Sequence, residues 1–451
     1  MNVRLLAQVV LNRARHGRRD HWSPAELAAH QSRSLSELRA WAYAESPFYA
    51  RHHAGLFDAP LSELPPVTKA ELMENFDAAV TAPGLHLADI EGHLRALAAS
   101  GGDPGRPWRG RWWAAATAGT TGRRGVFVWD RREWSTILTS YSRANDWVGV
   151  RAGLTHPLRV AVVSSRNPTH QSAVVGASLA SPLVPTLRLD ATASLDETIS
   201  ALNKFRPRIL VGYASALGPL ANAQREGRLQ IAPESVFSAS EVLGETAARE
   251  VTEAWGSAPI DVYAATETAG IASPCGFGNR HVYEDLVIIE PVDEAGSPVP
   301  AGTPGARLWV TVLFARTLPL IRYELSDQVV LGGRGCACGR PFRLLAGVEG
   351  RSEDVLVLPA VNGEVHVHPN VFHAVLDDIG AAQWQVIHEP GRLRVLLVES
   401  RTAIDNATVR QSIEEAVAAA GATRTDVRVE TVNNIPRTAL GKLPLIRLAT
   451  A

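Results

Sequence analysis

Cysteine is scarce in this chain, with only three residues among 451. So few thiols, and an odd number of them, exclude the disulfide framework of a small secreted protein, and we expect a reducing, cytoplasmic location. Long apolar runs are also missing, since no stretch approaches the roughly 20 residues of a membrane-spanning helix. The short apolar run from Leu5 to Leu11 precedes its basic residues and no small-residue cleavage site follows, so we expect no signal peptide.

An excess of charge of either sign is absent too. The chain has 45 basic and 46 acidic residues and a net charge of -1. This balance lacks the excess of positive charge that is typical of proteins that bind nucleic acids or anionic membranes. A local basic cluster at residues 13–19 is typical of a solvated surface. The length of 451 residues predicts two or more domains. The sequence specifies no oligomeric state.

Apolar runs of strand length recur with helical segments between them. The runs at 158–164 (LRVAVVS), 207–215 (PRILVGYAS) and 260–267 (IDVYAATE) are typical of buried strands in a largely parallel sheet. The first 60 residues favour helices, one of which Ser34 and Glu37 would cap and Pro47 would end. We therefore predict an α/β fold in which residues 1–350 form a large, layered β/α domain.

The pattern changes near residue 350. Residues 351–451 predict strand, helix, strand, strand, helix and strand, and Val409, Ile413 and Val417 recur at helical spacing. This order indicates a separate, small α+β domain of about 100 residues. Gly347 and Gly350 suit a hinge because glycine adopts unusual backbone angles at little cost. An ordinary loop within one domain is the alternative.

A segment rich in glycine and threonine, TAGTTGRRGVF, occupies residues 117–127. Glycine lets backbone amides turn inward and form an anion-binding nest, to which threonine hydroxyls and arginines add donors. The segment is therefore a candidate phosphate-binding loop. It lacks the Gly-Lys-Ser/Thr of a Walker A loop, and a plain surface hairpin is the alternative from these residues alone.

Further motifs follow this loop in a fixed order. They are VYAATETAG with Tyr263, Thr266 and Glu267, RTLPLIRYELSDQ with Arg322, Tyr323 and Asp327, GVEGRSEDVL with Arg351, Glu353 and Asp354, and NNIPRTALGKLPLIR with Pro436, Thr438, Gly441 and Lys442. Their order and spacing resemble the adenylate-forming superfamily of acyl-CoA synthetases, peptide-synthetase adenylation domains and luciferases. Three segments are similar to sequences of the phenylacetate-CoA ligase branch, namely SPFYARH, RTLPLIRYELSDQ and CACGR. The resemblance covers nearly the whole chain.

The chain departs from the family pattern inside several motifs. Arg123-Arg124 replaces the usual Pro-Lys, Ala118 replaces a hydroxyl residue and Ala264 replaces a glycine. The motif expected as Tyr-x-Thr-Gly-Asp reads YELSD and ends at Asp327. These differences affect phosphate handling, whereas the superfamily assignment rests on the order of the motifs.

The resemblance implies an ATP-dependent acid-activating ligase. A carboxylic acid and ATP would form an acyl-adenylate with release of pyrophosphate, and the acyl group would pass to a thiol, by default coenzyme A. A carrier protein, an amine or water are alternative acceptors. A non-catalytic nucleotide-binding homologue is the second alternative, and a kinase is disfavoured by the missing Walker lysine.

The resemblance also implies roles for single residues. Lys442 would neutralise charge between the carboxylate and the α-phosphate, Thr266 would contact that phosphate, and Glu267 would bind Mg²⁺. Glu353 would be the pivot of the small domain. The residues implied to bind ATP are Thr117, Gly119, Thr120, Thr121 and Gly122 at the phosphates, Ser240 and Glu241 at the adenine, Tyr263, Ala264 and Asp327 at the nucleoside, and Arg351 near the phosphates or ribose. Solvated side chains are the alternative for Lys442 and Glu267.

The acid pocket implied by the resemblance is bordered by Arg166, His170 and Tyr213. Asn167 and Gln171 add further polar groups there, and buried polar groups need partners. We therefore expect an aryl or arylacetic acid with polar substituents, with side chains turned to solvent as the alternative. Some members of the superfamily activate nitrite for diazotisation, and Arg166 and His170 would also suit so small an anion.

The three cysteines and one histidine form a candidate metal site. Cys336 and Cys338 make a Cys-x-Cys turn, and Cys275 precedes His281 by a short loop. Three thiolates and one imidazole suit a tetrahedral, structural Zn²⁺ that would clamp two loops. Free cysteines and a surface histidine are the alternative.

Overall fold

The computed structural model of the chain describes residues 3–117, 124–150, 156–351, 354–361, 363–367, 369–376, 379, 381–399, 404–423, 425–438 and 442–448. Of the predicted site residues, Gly119, Thr120, Thr121, Gly122 and Glu353 lie outside these ranges, and of Arg351 only the backbone is described. Within the ranges, none of the helices combines the length and the apolar character needed to cross a bilayer.

The N-terminal part is helical. Its helices are α1 (Val3–Arg19), α2 (Pro24–Glu45), α3 (Pro47–His52), α4 (Lys69–Glu74), α5 (Phe76–Ala79) and α6 (Leu87–Ser100). Helix α2 begins at a capping box in which Ser23 and Glu26 each bond the other's backbone amide. The predicted cap at Ser34 is therefore wrong, because this earlier box, with Pro24 next to it, starts the helix and leaves Ser34 in its interior. Helix α2 ends before Pro47, as predicted.

A hairpin and a long helix come next. They are β1 (Trp113–Ala116), β2 (Val126–Trp129) and α7 (Arg131–Trp147). The hairpin is antiparallel, with Trp113 opposite Trp129 and Ala116 opposite Val126. The loop rich in glycine and threonine therefore connects two paired, buried strands, which fix its two ends.

Alternating strands and helices form the centre of the large domain. They are β3 (Val160–Ser164), α8 (Gln171–Leu179), β4 (Thr186–Asp190), α9 (Leu195–Phe205), β5 (Ile209–Gly212), α10 (Ala214–Arg225), β6 (Ser235–Ala239), α11 (Glu245–Trp255), β7 (Ile260–Ala265), β8 (Ala269–Pro274) and β9 (Arg280–Val282). In the described residues the sheet order is β4-β3-β5-β6-β7-β8-β9, parallel as far as β7 and antiparallel beyond it. The carboxyl ends of the parallel strands meet at one edge, so the loops after β3, β5, β6 and β7 converge.

Antiparallel strands follow the central sheet in the chain. They are β10 (Val287–Val292), β11 (Arg307–Val312), β12 (Tyr323–Leu325), β13 (Asp327–Leu331) and β14 (Leu345–Arg351). Strands β10, β11 and β12 form one sheet, and β13 pairs with β14 so that Asp327 lies opposite Arg351. Two predicted nucleotide-binding residues are thus cross-strand neighbours.

The residues after β14 have a core of their own. Their elements are β15 (Leu356–Ala360), β16 (Gly363–Val367), α12 (Pro369–Leu376), β17 (Ala381–Glu389), β18 (Arg392–Glu399), α13 (Asn406–Ala419), β19 (Asp426–Thr431) and β20 (Ile446–Leu448). Helix α13 buries Val409, Ile413 and Val417 in the core of this domain, whose sheet has the order β19-β18-β17-β20. Each such side chain stabilises the fold by about 1.5–3 kcal/mol. The α/β class with a small second domain is confirmed, and the boundary at residue 350 stays a prediction.

Candidate active site

The loops at the carboxyl edge of the central sheet open into a cavity of about 1630 Å³. The segment 442–448 of the small domain forms part of its wall. The predicted site residues that line it are Thr117, His170, Tyr213, Ser240, Glu241, Tyr263, Ala264, Thr266, Glu267, Asp327 and Lys442. Motifs that are far apart in the sequence, from both domains, therefore surround one space.

Thr117 closes the base of the loop rich in glycine and threonine. Its amide donates to the Gly125 carbonyl at 2.8 Å, and its hydroxyl accepts from the Gly125 amide at 2.9 Å. Arg124 donates from Nε to the Thr117 carbonyl at 3.2 Å and from its guanidinium to the hydroxyl of Thr169. Arg124, which stands where the family has lysine, thus ties the loop to the segment after β3.

Thr266 and Glu267 lie in the turn between β7 and β8. The residue Glu267 is only 7% exposed, and its Oε1 accepts a long hydrogen bond of 3.5 Å from the Tyr323 hydroxyl. Burial and the neighbouring charge of Glu267 raise the pKa of Tyr323 well above its ordinary value, so the phenol stays protonated. A carboxylate oxygen on a cavity wall suits a hard cation such as Mg²⁺.

Two side chains from helices support this turn. Gln171 donates from Nε2 to the Thr266 carbonyl at 2.8 Å, and Tyr141 donates its hydroxyl hydrogen to Gln171 Oε1 at 2.7 Å. Tyr141 was not identified from the sequence, because it lies inside α7 without a motif around it. Its role follows only from the way α7 packs against the sheet.

Tyr263 and Asp327 are brought together from different sheets. The Tyr263 hydroxyl donates to Asp327 Oδ2 at 3.0 Å. Tyr263 belongs to β7, whereas Asp327 begins β13. Both residues line the cavity, and the hydrogen bond orients the carboxylate of Asp327 at its wall.

Lys442 reaches the cavity from the small domain. Its Nζ lies 6.0 Å from the centre of the Tyr213 ring, at the limit of a cation–π contact. Tyr213 is itself fixed by the Ser165 amide, which donates to the phenol oxygen at 3.0 Å. The Lys442 carbonyl accepts from the Thr438 amide at 2.9 Å. This hydrogen bond holds the backbone of Lys442 next to Thr438.

His170 lies near this lysine and is neutral. Burial, together with the positive charges of Lys442 and Arg124, lowers the pKa of His170 to about 4. Among the described residues its Nε2 has no hydrogen-bond partner, which leaves that atom for a ligand. By contrast, Arg166 is exposed and is not part of the cavity lining as described, so the structure does not support its predicted place in the acid pocket.

Another part of the cavity is apolar. It lies between the face of the central sheet and helices α7 and α8, and its lining includes Val160, Val162, Val175, Leu179, Ile209, Val211, Phe237 and Val262. An apolar wall with a few placed polar groups is typical of a pocket for an organic ligand.

Ser240 and Glu241 follow β6 at the same edge. Ser240 has a φ of 71°, a left-handed backbone that is uncommon for a residue with a side chain. Glu241 accepts the Ser215 amide at Oε2 and the Leu443 amide at Oε1, both at 2.9 Å. Glu241, which the resemblance predicts at the adenine, thus contacts the small domain through the backbone of Leu443.

The predicted metal ligands form one cluster away from the cavity. The ligand atoms of Cys275, His281, Cys336 and Cys338 all lie within 4.8 Å of one another. Cys275 Sγ and Cys336 Sγ are 3.8 Å apart, the separation of two sulfurs on a tetrahedral zinc with bonds of about 2.3 Å. His281 Nδ1 lies 3.1 Å from the Phe342 carbonyl. That contact orients the ring so that Nε2 faces the thiols.

Hydrogen bonds favour the thiolate form of Cys336, whereas burial raises the pKa of the Cys275 thiol. Burial alone would raise the pKa of Cys336, but hydrogen bonds from the Cys338 backbone and the Asn279 side chain lower it to about 6. Asn279 Nδ2 donates to Cys336 Sγ at 3.3 Å. Since metals bind the deprotonated sulfur, the donor set fits a zinc ion.

Known proteins are similar to this chain in sequence and in fold. No protein-family model matches the chain. The curated phenylacetate-coenzyme A ligase of Thermus thermophilus is 24% identical over 374 residues, which cover 78% of this chain and 75% of that protein. The crystal structure of 2-hydroxyisobutyryl-CoA ligase with R3-HIB-AMP, in the postadenylation state, covers 95% of this chain and 91% of its own, with a TM-score of 0.73 and 19% identity.

A third similar protein is a ligase named for an aromatic acid, anthranilate. The crystal structure of an anthranilate CoA ligase with anthranoyl-AMP covers 73% of this chain and 65% of its own, with a TM-score of 0.52 and 17% identity. The two solved structures share the fold. The chain is thus similar in sequence to a phenylacetate-coenzyme A ligase and similar in fold to two further coenzyme A ligases.

Proposed function

We propose that the protein is an AMP-forming ligase that activates an aryl or arylacetic acid as its acyl-adenylate and transfers the acyl group to coenzyme A. One observation carries the proposal: Lys442 of the small domain lines the same cavity as Glu267 and Asp327 of the large domain. A protein that only bound a nucleotide would not need a lysine delivered by a second domain.

The chemistry explains why a cation is needed there. A carboxylate is a poor electrophile, and it approaches an α-phosphate that is also negative. When its oxygen attacks the α-phosphorus, the bond to pyrophosphate breaks and an acyl-adenylate forms. Positioning and charge neutralisation supply most of the rate in such transfers. Lys442 provides the positive charge between the two anions.

The large domain holds the nucleotide. Asp327, oriented by Tyr263, accepts the hydrogens of the ribose hydroxyls, and Thr266 contacts the α-phosphate. By the family resemblance, Thr117 with Gly119, Thr120, Thr121 and Gly122 would contact the β- and γ-phosphates, and Arg351 would lie near the phosphates or ribose. Glu267 would hold Mg²⁺, and the bound ion would neutralise phosphate charge.

The cavity supports an organic acid more than nitrite. The apolar wall between the sheet and helices α7 and α8 is lined by eight apolar side chains, more than a three-atom anion can contact, and it suits an aromatic ring. His170, Tyr141 and Gln171 add polar atoms to the lining. Tyr141 and Gln171 already bond to each other, and Gln171 bonds to Thr266. His170 Nε2 has no partner among the described residues, and it favours an acid that carries a polar substituent because buried polar groups need partners.

The second half-reaction transfers the acyl group. The sulfur of a thiolate attacks the acyl carbon, and AMP leaves. The similar proteins above are named as coenzyme A ligases, which supports coenzyme A as the acceptor here. The phosphopantetheine of a carrier protein presents the same thiol and is the alternative. Glu353 would be the pivot about which the small domain moves between the half-reactions.

The Cys/His cluster is proposed as a structural zinc site. It connects the β8–β9 region to the loop between β13 and β14, and with four protein ligands it would leave no open position for catalysis. Its role is therefore to hold two loops of the large domain together.

A pyrophosphate-release screen tests the proposed function. Aryl, arylacetic and aliphatic acids and nitrite are each incubated with ATP and Mg²⁺, with and without coenzyme A. We expect acid-dependent pyrophosphate and AMP, with aryl acids best, and an acyl-CoA only when coenzyme A is present. ADP as the product, or no acid-dependent turnover with any compound, would reject the proposal.

A further inference from the structure

One carboxylate of the large domain holds the segment that carries Lys442. Glu241 Oε1 accepts the backbone amide of Leu443 at 2.9 Å. The other oxygen, Oε2, accepts the backbone amide of Ser215 at 2.9 Å. The carboxylate therefore bridges the first turn of helix α10 and the residue directly after the predicted catalytic lysine.

Ser215 is a second point of attachment. Arg437 of the small domain donates to Ser215 Oγ at 2.7 Å and to the Ser215 carbonyl at 3.1 Å. Gln383 Nε2 donates to the same carbonyl at 3.3 Å. The amide, carbonyl and hydroxyl of Ser215 are thus all used at the boundary between the two domains.

The local backbone explains why a glutamate can serve here. The left-handed backbone of Ser240, with a φ of 71°, turns the chain at the end of β6, directly before Glu241. The carboxylate lies at the N-terminus of α10, where the helix dipole and the amide of Ser215 favour a negative charge. Strain of this kind tends to occur at functional positions.

We propose that Glu241 is a positioning residue that docks the small domain for adenylation and sets the place of Lys442. The Leu443 amide is one peptide unit from the lysine, so fixing it fixes the root of the Lys442 side chain. This inference rests on the proposed function. It also implies that the contact breaks before thioester formation, because that step uses another arrangement of the domains.

Glu241→Gln tests the proposal. The amide keeps one acceptor oxygen but turns an NH₂ group towards the second backbone donor, so one hydrogen bond is lost. Residue-resolved hydrogen exchange reads the contact directly and needs no turnover. We expect the Leu443 amide to exchange at least about tenfold faster in the variant, since a hydrogen bond to a charged group is lost.

The matched control is Glu253→Gln. Glu253 is exposed on α11, where it pairs with Arg225 at 3.1 Å, and its substitution should leave exchange at Leu443 unchanged. Arg437→Gln weakens the same docking from the small-domain side, and it should also speed exchange at Leu443. Circular dichroism verifies that each variant is folded.

The half-reactions provide the second readout. With the best acid from the screen, Glu241→Gln should slow acid-dependent pyrophosphate exchange by about 10- to 100-fold, since small misplacements of a reacting group have effects of that size. Its KM for ATP and its thioester formation from supplied acyl-adenylate should stay within about twofold. A raised KM for ATP with unchanged exchange at Leu443 would show that Glu241 binds adenine instead, and would overturn the proposal. No turnover by the wild type would reject the proposed function alone, because the exchange measurement stands without it.

Discussion

The hydroxyl of Tyr263 and the carboxylate of Asp327 are joined by a hydrogen bond of 3.0 Å. Tyr263 is part of the central sheet, and Asp327 begins a strand of an antiparallel pair. One hydrogen bond thus couples two sheets at the place where the ribose is proposed to bind. The carboxylate is held in one orientation before any nucleotide arrives, which reduces the entropy cost of binding.

Substitution of this pair tests the ribose site. Asp327→Asn keeps the size of the side chain but removes its charge and one acceptor. We expect kcat/KM for ATP to fall by about 10- to 100-fold, because hydrogen bonds to a charged group contribute about 1.5–3 kcal/mol. Tyr263→Phe loses only the orienting hydroxyl and should cost about two- to tenfold. A larger loss in Tyr263→Phe than in Asp327→Asn would contradict the assignment.

Lys442→Ala tests the catalytic cation. Adenylate formation should drop by about 1,000-fold or more, whereas the Kd for ATP should change only a few-fold, because the lysine acts where charge develops in the transition state. Pyrophosphate exchange and equilibrium ATP binding measure the two effects. Lysine occurs at only three positions in the chain, and exposed Lys204 in α9 gives a matched control, Lys204→Ala. Normal exchange by Lys442→Ala would refute the role.

The convergence of the motifs could be anticipated from the sequence. Tyr213 and Glu267 lie towards the carboxyl ends of two runs predicted as strands of a parallel sheet, 207–215 and 260–267, and such ends meet at one edge. No strand was predicted before Glu241, which only the resemblance to the family placed at the nucleotide. The resemblance placed Lys442 in a second domain that had to close on this edge. The first inference needs only strand direction and chain order, which the apolar runs indicate, whereas the second depends on the resemblance.

Contacts between helices and loops could not be anticipated in the same way. Tyr141 meets Gln171 only because α7 packs beside α8, and Ser215 meets Arg437 only because the two domains dock. The resemblance implies a place for Arg166 at the acid pocket, yet its side chain is exposed. The Asn167 side chain accepts the Thr169 amide at 3.0 Å, a turn that brings His170 inward and leaves Arg166 outside.

His170 predicts a dependence of stability on pH. Its pKa of about 4 in the folded chain lies below its ordinary value of 6.5, so the unfolded chain binds the proton first. The stability contributed by neutral His170 is complete above pH 6.5 and is lost as the pH falls towards 4. When the pH falls from 7.5 to 5, the free energy of unfolding should therefore decrease by about 2 kcal/mol less in His170→Gln than in the wild type.

Urea unfolding at the two pH values measures this difference. Above pH 7.5 the two proteins should show the same slope of stability against pH, which serves as the internal control. NMR gives an independent reading: Lys442→Ala should raise the pKa of His170, because the charge of Lys442 contributes to lowering it. An unchanged pKa in that variant would mean that the lysine does not lie near His170 in solution.

Metal analysis tests the zinc site. We expect about one zinc per chain, and we expect His281→Gln to lose zinc and to lower the Tm, because metal binding to a closed site contributes directly to folding stability. Asn279→Ala, which removes only the hydrogen bond to Cys336, should retain the site but weaken zinc binding by about tenfold or more. None of the four ligands is among the described residues that line the cavity, so activity per folded molecule should persist at low temperature in both variants. Well under one zinc per chain in the wild type, or an unchanged Tm after chelation, would show that the cluster is four unligated side chains.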